Sequence, residues 1–230
     1  MLSLDMLIDN KKRRCAVCKK VLAEKTELKR AVWHFLSVSL IAMLFYVSNR
    51  MGVYCLLGVG ILCLIGDWGR TRFNWINRLV PKFFFSIMRE HETRGLSALS
   101  YFVVAGMIII SIHLLFGLPK DIMVCATMFV AIGDPMARLI GKNWKVIYLF
   151  GSKIRSIRLY KRKTLFGSMA FFLCGLAGAA GFYWISEPVW PVACLLVGGV
   201  VATVTELLAH REWDNFYVPL LASLTMWGVM

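Results

Sequence analysis

Apolar stretches recur along the chain at about residues 31–48, 51–66, 97–118, 121–141, 165–186, 188–209 and 216–230, separated by brief polar interruptions. A helix that crosses a bilayer needs roughly 20 apolar residues, so the pattern predicts seven membrane spans, the first two and the last being short. The segment 67–95 reads differently. Its aromatics Phe73, Trp75 and Phe83 to Phe85 are interleaved with Arg70, Arg72, Arg78, Lys82 and Arg89, which predicts an amphipathic helix lying at the membrane interface. The expected fold is all-α and polytopic, with a basic segment over 1–30 followed by a single membrane-embedded domain over 31–230. No cleavable signal peptide is read in residues 1–30, because nine basic residues precede any long apolar run.

Composition agrees with this reading. Of 230 residues, 59% are hydrophobic, above the 45–50% usual for soluble domains, which excludes an ordinary soluble globular protein. Lys and Arg number 27 against 13 acidic residues, a formal charge of +14. Their placement decides what that charge means. Nine lie in the N-terminal segment, six between Arg70 and Arg94 and eight between Lys142 and Lys163, while the intervening connections carry one or none. This alternation fits the positive-inside rule with the N-terminus cytoplasmic and, for seven spans, the C-terminus outside. Topology therefore accounts for the charge, and nucleic acid is not an expected partner.

Charged groups inside or at the ends of spans are costly and mark function by default. With the orientation above, Glu27, Arg30, His34, Asp67, Asp134, Arg138, Glu206, His210, Asp214 and Asn215 all fall toward the cytoplasmic face. Helix-end solvation explains Arg30, Asp67 and Arg211 about as well as function does. It explains Asp134 poorly. In Met-Phe-Val-Ala-Ile-Gly-Asp-Pro the carboxylate follows an apolar run and precedes Pro135, which predicts a broken helix lining a polar cavity. The following residues suit phosphate chemistry. An Asp can hold Mg²⁺, small positions let backbone approach a phosphate, and Lys161, Arg162 and Lys163 can neutralise phosphoryl oxygens.

Asp134, Ala137 and Gly141 form a D-x-x-A-x-x-x-G stretch, and Lys163, Thr164, Gly167 and Ser168 form K-T-x-x-G-S. Together with Glu27, Arg30 and His34, with Arg89-Glu90-His91-Glu92, and with Glu206, Asp214-Asn215 and Val218-Pro219-Leu220, they resemble the CTP-dependent lipid kinases, the family of dolichol kinase, phytol kinase and the CTP-using diacylglycerol kinase. The resemblance covers nearly the whole chain. Lys145 stands where the family usually has a second Gly, Phe166 where an acidic residue is common, and Ala31 where a second basic residue often follows. The resemblance implies transfer of the γ-phosphoryl of CTP to a membrane lipid alcohol, with Mg²⁺ as cofactor. It implies that Asp134 and Asp214 hold the metal and that Glu206 and Asn215 complete the polar shell. Arg30, Ala137, Gly141, Lys161, Arg162, Lys163, Thr164, Gly167 and Asn215 would then meet the nucleotide. The carboxylate that takes the alcohol proton stays open among Asp67, Glu27 and Asp214. Diacylglycerol or a polyprenol such as dolichol is favoured over phytol as acceptor, with segment 67–95 as the lateral gate.

The related phosphatidate cytidylyltransferases share an Asp…Gly…Lys-Thr core, but their C-terminal K-D-x₅-G-H-G-G-x-x-D-R signature is absent here. A transporter would use buried carboxylates as an ion path, and concentration of the acids at one face favours an interfacial enzyme instead. Cys15 and Cys18 form a lone C-x-x-C without the further ligands of a closed zinc site. The remaining cysteines lie in spans as packed apolar side chains, and His113 reads as a core or interfacial residue. Gly175, Gly178 and Gly181 predict close helix packing.

Overall fold

A computed structural model describes residues 28–73, 95–143, 146–149, 152–161 and 163–230. The expected basic segment, apart from its last three residues, lies outside these, as do nearly all of the expected interfacial helix, Arg162 and the Cys15–Cys18 pair. Helices α1 (Leu28–Val47) and α2 (Arg50–Arg72) come first, then α3 (Ala98–Phe116). The next span runs from α4 (Lys120–Met128) through a π-helical turn (Phe129–Gly133) into α5 (Asp134–Asn143). After it come the antiparallel hairpins β1 (Val146–Leu149) with β2 (Ser152–Arg155), and β3 (Arg158–Tyr160) with β4 (Lys163–Thr164). Helix α6 (Leu165–Ser186), α7 (Ala193–Leu208), a 3₁₀ turn (Arg211–Trp213) and α8 (Asp214–Gly228) complete the chain.

The protein is an all-α membrane protein in its architecture, but the expected count of seven long spans is not met. Among the described residues five helices are long and apolar enough to cross a bilayer: α1, α2, α3, the α4–α5 span and α6. The expected sixth and seventh spans form helices of 16 and 15 residues. At 1.5 Å per residue each reaches about 24 Å or less, short of a hydrocarbon core of about 30 Å. Pro188 and Pro191 explain the late start of α7. Glu187 ends α6 in the left-handed conformation at φ 46°, and the helix resumes only at Ala193. The two small hairpins, in a stretch expected to be loop, are the second departure.

The α4–α5 span is the buried centre, with 72% of its apolar window enclosed against 11% for the peripheral α2. Leu40, Leu44 and Val47 of α1, and Leu62 and Ile65 of α2, stay exposed, as lipid-facing side chains do. Lipid gives helices no hydrophobic reason to associate, so close approach depends on small residues. Phe129 is fully buried, and a Cβ built on Gly175 would stand 2.8 Å from its ring. Gly178 faces Ile132 in the same way, and Gly133 lies so near Phe171 that a Cβ would meet its carbonyl oxygen at 3.0 Å. Packing by Gly175 and Gly178 thus follows expectation, whereas Gly181 has no neighbour within 4 Å of such a Cβ. At the end of the bundle away from Asp134, Lys120 donates to the carbonyls of Tyr46 and Ser48 and sits over the Phe45 ring. His113 meets Phe45 edge-on and pairs with the Leu118 carbonyl at 2.6 Å, which places it in the packed interior.

Candidate active site

The helix expected to break at Asp134 is instead widened. The π-helical turn Phe129–Gly133 runs without a break into Asp134 and α5, so Pro135, which has no N–H to donate and whose ring would crowd the preceding turn of an α-helix, follows a turn that is already widened. The turn delivers Asp134, 4% exposed, to a cleft of about 720 Å³. From α5 the cleft takes Asp134, Ala137, Arg138, Gly141 and Lys142; from the second hairpin and the start of α6, Tyr160, Lys161, Lys163, Thr164, Gly167 and Ser168. From the end of α7 through the 3₁₀ turn to α8 it takes Glu206, Ala209, His210, Glu212 and Asp214. Segments expected at one membrane face do converge at one end of the bundle.

Three buried carboxylates meet at its base. Asp134, Glu206 and Asp214 each offer an oxygen within 4.8 Å of the others. Arg138 Nη2 stands 2.9 Å from Asp134 Oδ2, one turn further along the same helix face. Lys163 Nζ pairs with Glu206 Oε1 and lies 3.7 Å from Asp214 Oδ2. His34 Nε2 of α1 approaches Asp134 Oδ2 to 3.9 Å. Asn215 donates its backbone N–H (2.9 Å) and its amide (3.3 Å) to Asp214 Oδ1. Glu206 Oε2, Asn215 Oδ1 and Ser168 Oγ are buried with no hydrogen-bond partner among the described residues. Orphaned buried oxygens are expensive unless something pairs with them, and three carboxylates at this spacing present a hard donor set suited to a divalent cation such as Mg²⁺.

The small residues also shape the framework of the cleft. Thr164 caps α6, its Oγ1 accepting from the Gly167 N–H at 3.2 Å. The Leu165 N–H donates to the Ile157 carbonyl at 2.8 Å and the Phe166 N–H to Ser156 Oγ at 3.4 Å, so the first N–H groups of α6 are engaged within the protein. A Cβ on Gly167 would stand 3.1 Å from the Ala137 carbonyl and 3.4 Å from the Gly141 Cα. Gly141 and Gly167 therefore let α5 and α6 cross backbone to backbone beside the cleft. Among the described residues, the cations that line the cleft are the side chains of Arg138, Lys142, Lys161 and Lys163.

Of the residues singled out in the sequence, Asp134, Glu206, Asp214, Ala137, Gly141, Lys161, Lys163, Thr164 and Gly167 line the cleft, and Asn215 touches it through Asp214. Arg30 lies one turn before His34 on α1 and is not among the lining residues. Asp67 is elsewhere. Its Oδ1 accepts from Arg70 Nε (3.0 Å) and Nη2 (2.8 Å), and its Oδ2 from the Ser97 N–H (2.7 Å) and Ser100 Oγ (2.6 Å). Arg70 also donates to the Gly95 carbonyl at 2.8 Å. This clasp joins the end of α2 to the start of α3, which gives Asp67 a structural task. Asp67→Asn should lower the midpoint of thermal unfolding by several degrees in detergent while leaving nucleotide affinity within about two-fold, because two charge-assisted bonds weaken outside the cleft. A large loss of nucleotide affinity without loss of stability would move Asp67 into the site. Lys161 occupies the hairpin turn at φ 48°, with its ammonium 4.9 Å from the Tyr160 ring centre. Arg138, Ser168 and His210, also named from the sequence, line the cleft too, whereas Glu212 enters it with no local signal to mark it.

No protein-family model matches the chain, and no solved structure matches it. The chain is 28% identical over 199 residues to an uncharacterized protein of Rickettsia prowazekii, across 84% of this chain and 90% of that one. It is 24% identical over 225 residues to CTP-dependent diacylglycerol kinase 1 of Eremothecium gossypii, across 88% of this chain and 67% of that protein.

Proposed function

We propose that this protein is a membrane lipid kinase that transfers the γ-phosphoryl group of CTP to the hydroxyl of a lipid alcohol, diacylglycerol or a polyprenol. The observation that carries the reading is the meeting of three buried carboxylates, Asp134, Glu206 and Asp214, with a wall of Lys and Arg in one cleft at the end of an apolar helix bundle. The similarity to CTP-dependent diacylglycerol kinase 1 supports the same chemistry and is the source of the nucleotide assignment. A soluble donor then comes from water to the basic side of the cleft, and the acceptor keeps its hydrocarbon in the bilayer. The basic N-terminal segment and the cleft face the cytoplasm, and the C-terminus, at the far end of α8, lies on the opposite side.

Asp134 and Asp214 would hold Mg²⁺ with Glu206 beside them. When bound, the cation supplies charge neutralisation to the β- and γ-phosphoryl oxygens. Lys163, Lys161 and Arg138 hold the phosphate oxygens and orient the γ-phosphorus toward the acceptor. As the acceptor oxygen bonds to phosphorus, the bond from phosphorus to the bridging oxygen breaks and CDP leaves. The proton of the alcohol passes to Asp214, which lines the cleft where Asp67 does not. Asn215 orients it by two hydrogen bonds.

Purified protein in mixed micelles is expected to move label from γ-labelled CTP into diacylglycerol or a polyprenol and to require a divalent cation. Turnover with no lipid alcohol, whether CTP, ATP or GTP is the donor, would end the kinase reading. Equal turnover with ATP and CTP would keep the kinase and remove the CTP preference. Phosphorylation of phytol alone would overturn the choice of acceptor.

A further inference from the structure

The ion pairs at the base of the cleft bear on how a metal and a nucleotide could arrive there. Asp134 Oδ2 holds Arg138 at 2.9 Å, and Glu206 Oε1 holds Lys163, which also lies 3.7 Å from Asp214. Each of the three carboxylates thus has a side-chain cation beside it, which a divalent ion would have to displace or repel. Among the described residues the cleft is lined by four carboxylates, Asp134, Glu206, Glu212 and Asp214, and four cations, Arg138, Lys142, Lys161 and Lys163, so a free divalent ion entering it would make it net positive. Such a centre in a low-dielectric setting repels further charge strongly. A polyphosphate removes the conflict, because its oxygens can take Arg138 and Lys163 while the carboxylates turn to the metal.

We infer that Arg138 and Lys163 are exchange cations, which neutralise Asp134, Glu206 and Asp214 until nucleotide phosphate draws them away, so that metal and nucleotide bind as one strongly coupled unit. Arg138 suits the exchange. Its guanidinium is a third exposed at the mouth of the cleft, and its planar fork matches a phosphate as well as a carboxylate. Lys163 is anchored in β4, immediately before the Thr164 cap of α6, so its ammonium can swing between Glu206 and the cleft with the backbone fixed. The sign of the coupling is what identifies the arrangement. A residue that only binds phosphate leaves metal affinity unchanged in the absence of nucleotide, whereas an exchange cation weakens it by competition.

This inference rests on the cleft being a metal–nucleotide site, and the experiment separates the two. Mn²⁺ binding to the full chain in detergent micelles is measured by electron paramagnetic resonance, alone and with a CTP analogue whose β and γ phosphorus atoms are joined by a methylene group. For the wild type the analogue should tighten Mn²⁺ binding at least 100-fold. Arg138→Gln should tighten Mn²⁺ binding without nucleotide about 10-fold, weaken binding of the analogue about 10-fold, and shrink the coupling accordingly. Arg138→Lys should restore most of the wild-type coupling. Lys163→Met should shift both affinities in the same directions, and because it leaves Glu206 unpaired its folding is checked first by size-exclusion chromatography. Should it not fold, Arg138→Gln alone decides. If Arg138→Gln leaves metal affinity without nucleotide unchanged or weaker, the exchange is wrong while the metal–nucleotide site stands. If the wild type binds no Mn²⁺ even with the analogue present, the site reading itself falls.

Discussion

Asp134→Asn is expected to lower phosphoryl transfer by at least two orders of magnitude while the protein stays folded and monodisperse in detergent. The substitution keeps the shape of the side chain and removes one formal charge from the carboxylate at the meeting point of α5, Arg138 and His34. Loss of one preorganised electrostatic contact to a reacting centre reduces rate about 10²–10³-fold. The fold should tolerate the change, because the amide still accepts from Arg138 and the helix phase before it is set by the π turn. Initial rates with γ-labelled CTP, read beside the elution profile of the variant, test this. Activity within a few-fold of wild type would remove Asp134 from the reacting centre.

Gly167→Val should damage both stability and activity although it touches no charge. The new Cβ would meet the Ala137 carbonyl at 3.1 Å and Thr164 Oγ1 at 3.1 Å, and the further methyls of valine have no room. Both obstacles belong to the framework of the cleft, so α5 and α6 must separate. Overpacking of this kind costs about 1–3 kcal/mol, or a fall of several degrees in the unfolding midpoint for a chain of this size. A displacement of about 1 Å between groups on the two helices should reduce turnover about 100-fold. Gly181→Val on the same helix is the control, since nothing lies within 4 Å of its Cβ. Equal behaviour of the two variants would mean that the crossing does not set the site.

The hydrophobic pattern located the helices because spans are long and uniform. The run 165–186 coincides with α6, whose start is fixed by the Thr164 cap and whose end is fixed by Glu187 and Pro188. The pattern overstates the sixth span because it counts apolar residues without asking whether Pro188 and Pro191 let them be helical, whereas the last, read as short over 216–230, is a 15-residue helix. It misses the hairpins after α5 because their strands are only two to four residues long, too short for an alternation to register, and β1 is wholly apolar while the other three carry Lys or Arg. Asp134, Arg138, Glu206, His210 and Asp214 are legible as cleft residues because charge in a span is seldom accidental, and Ala137, Gly141, Thr164, Gly167 and Ser168 because they stand in the two stretches that carry the resemblance. Asp67 was grouped with them because depth along the chain was readable and lateral position was not. Two carboxylates at the same membrane level can stand on different sides of a bundle. The sequence marks Gly141 and Gly167 as small positions but does not show that they face each other, since that depends on the crossing of α5 over α6.

The π turn at Phe129–Gly133 has a consequence for how this span is indexed. A π turn places one more residue in a turn than an α-helix does, and one residue corresponds to about 100° of rotation. The part of the span before Phe129 and the part after Gly133 are therefore out of phase by roughly a quarter of a revolution. Upstream, Ile122, Met123, Val124, Cys125 and Ala126 are buried on all sides, so that half can serve as an axle whose orientation hardly matters. Downstream, Asp134, Ala137, Arg138 and Gly141 must share a single bearing toward the cleft. The extra residue acts as an angular offset between a symmetric part and a directional one, so a one-residue change in the length of this turn would re-aim the chemistry without altering a single side chain.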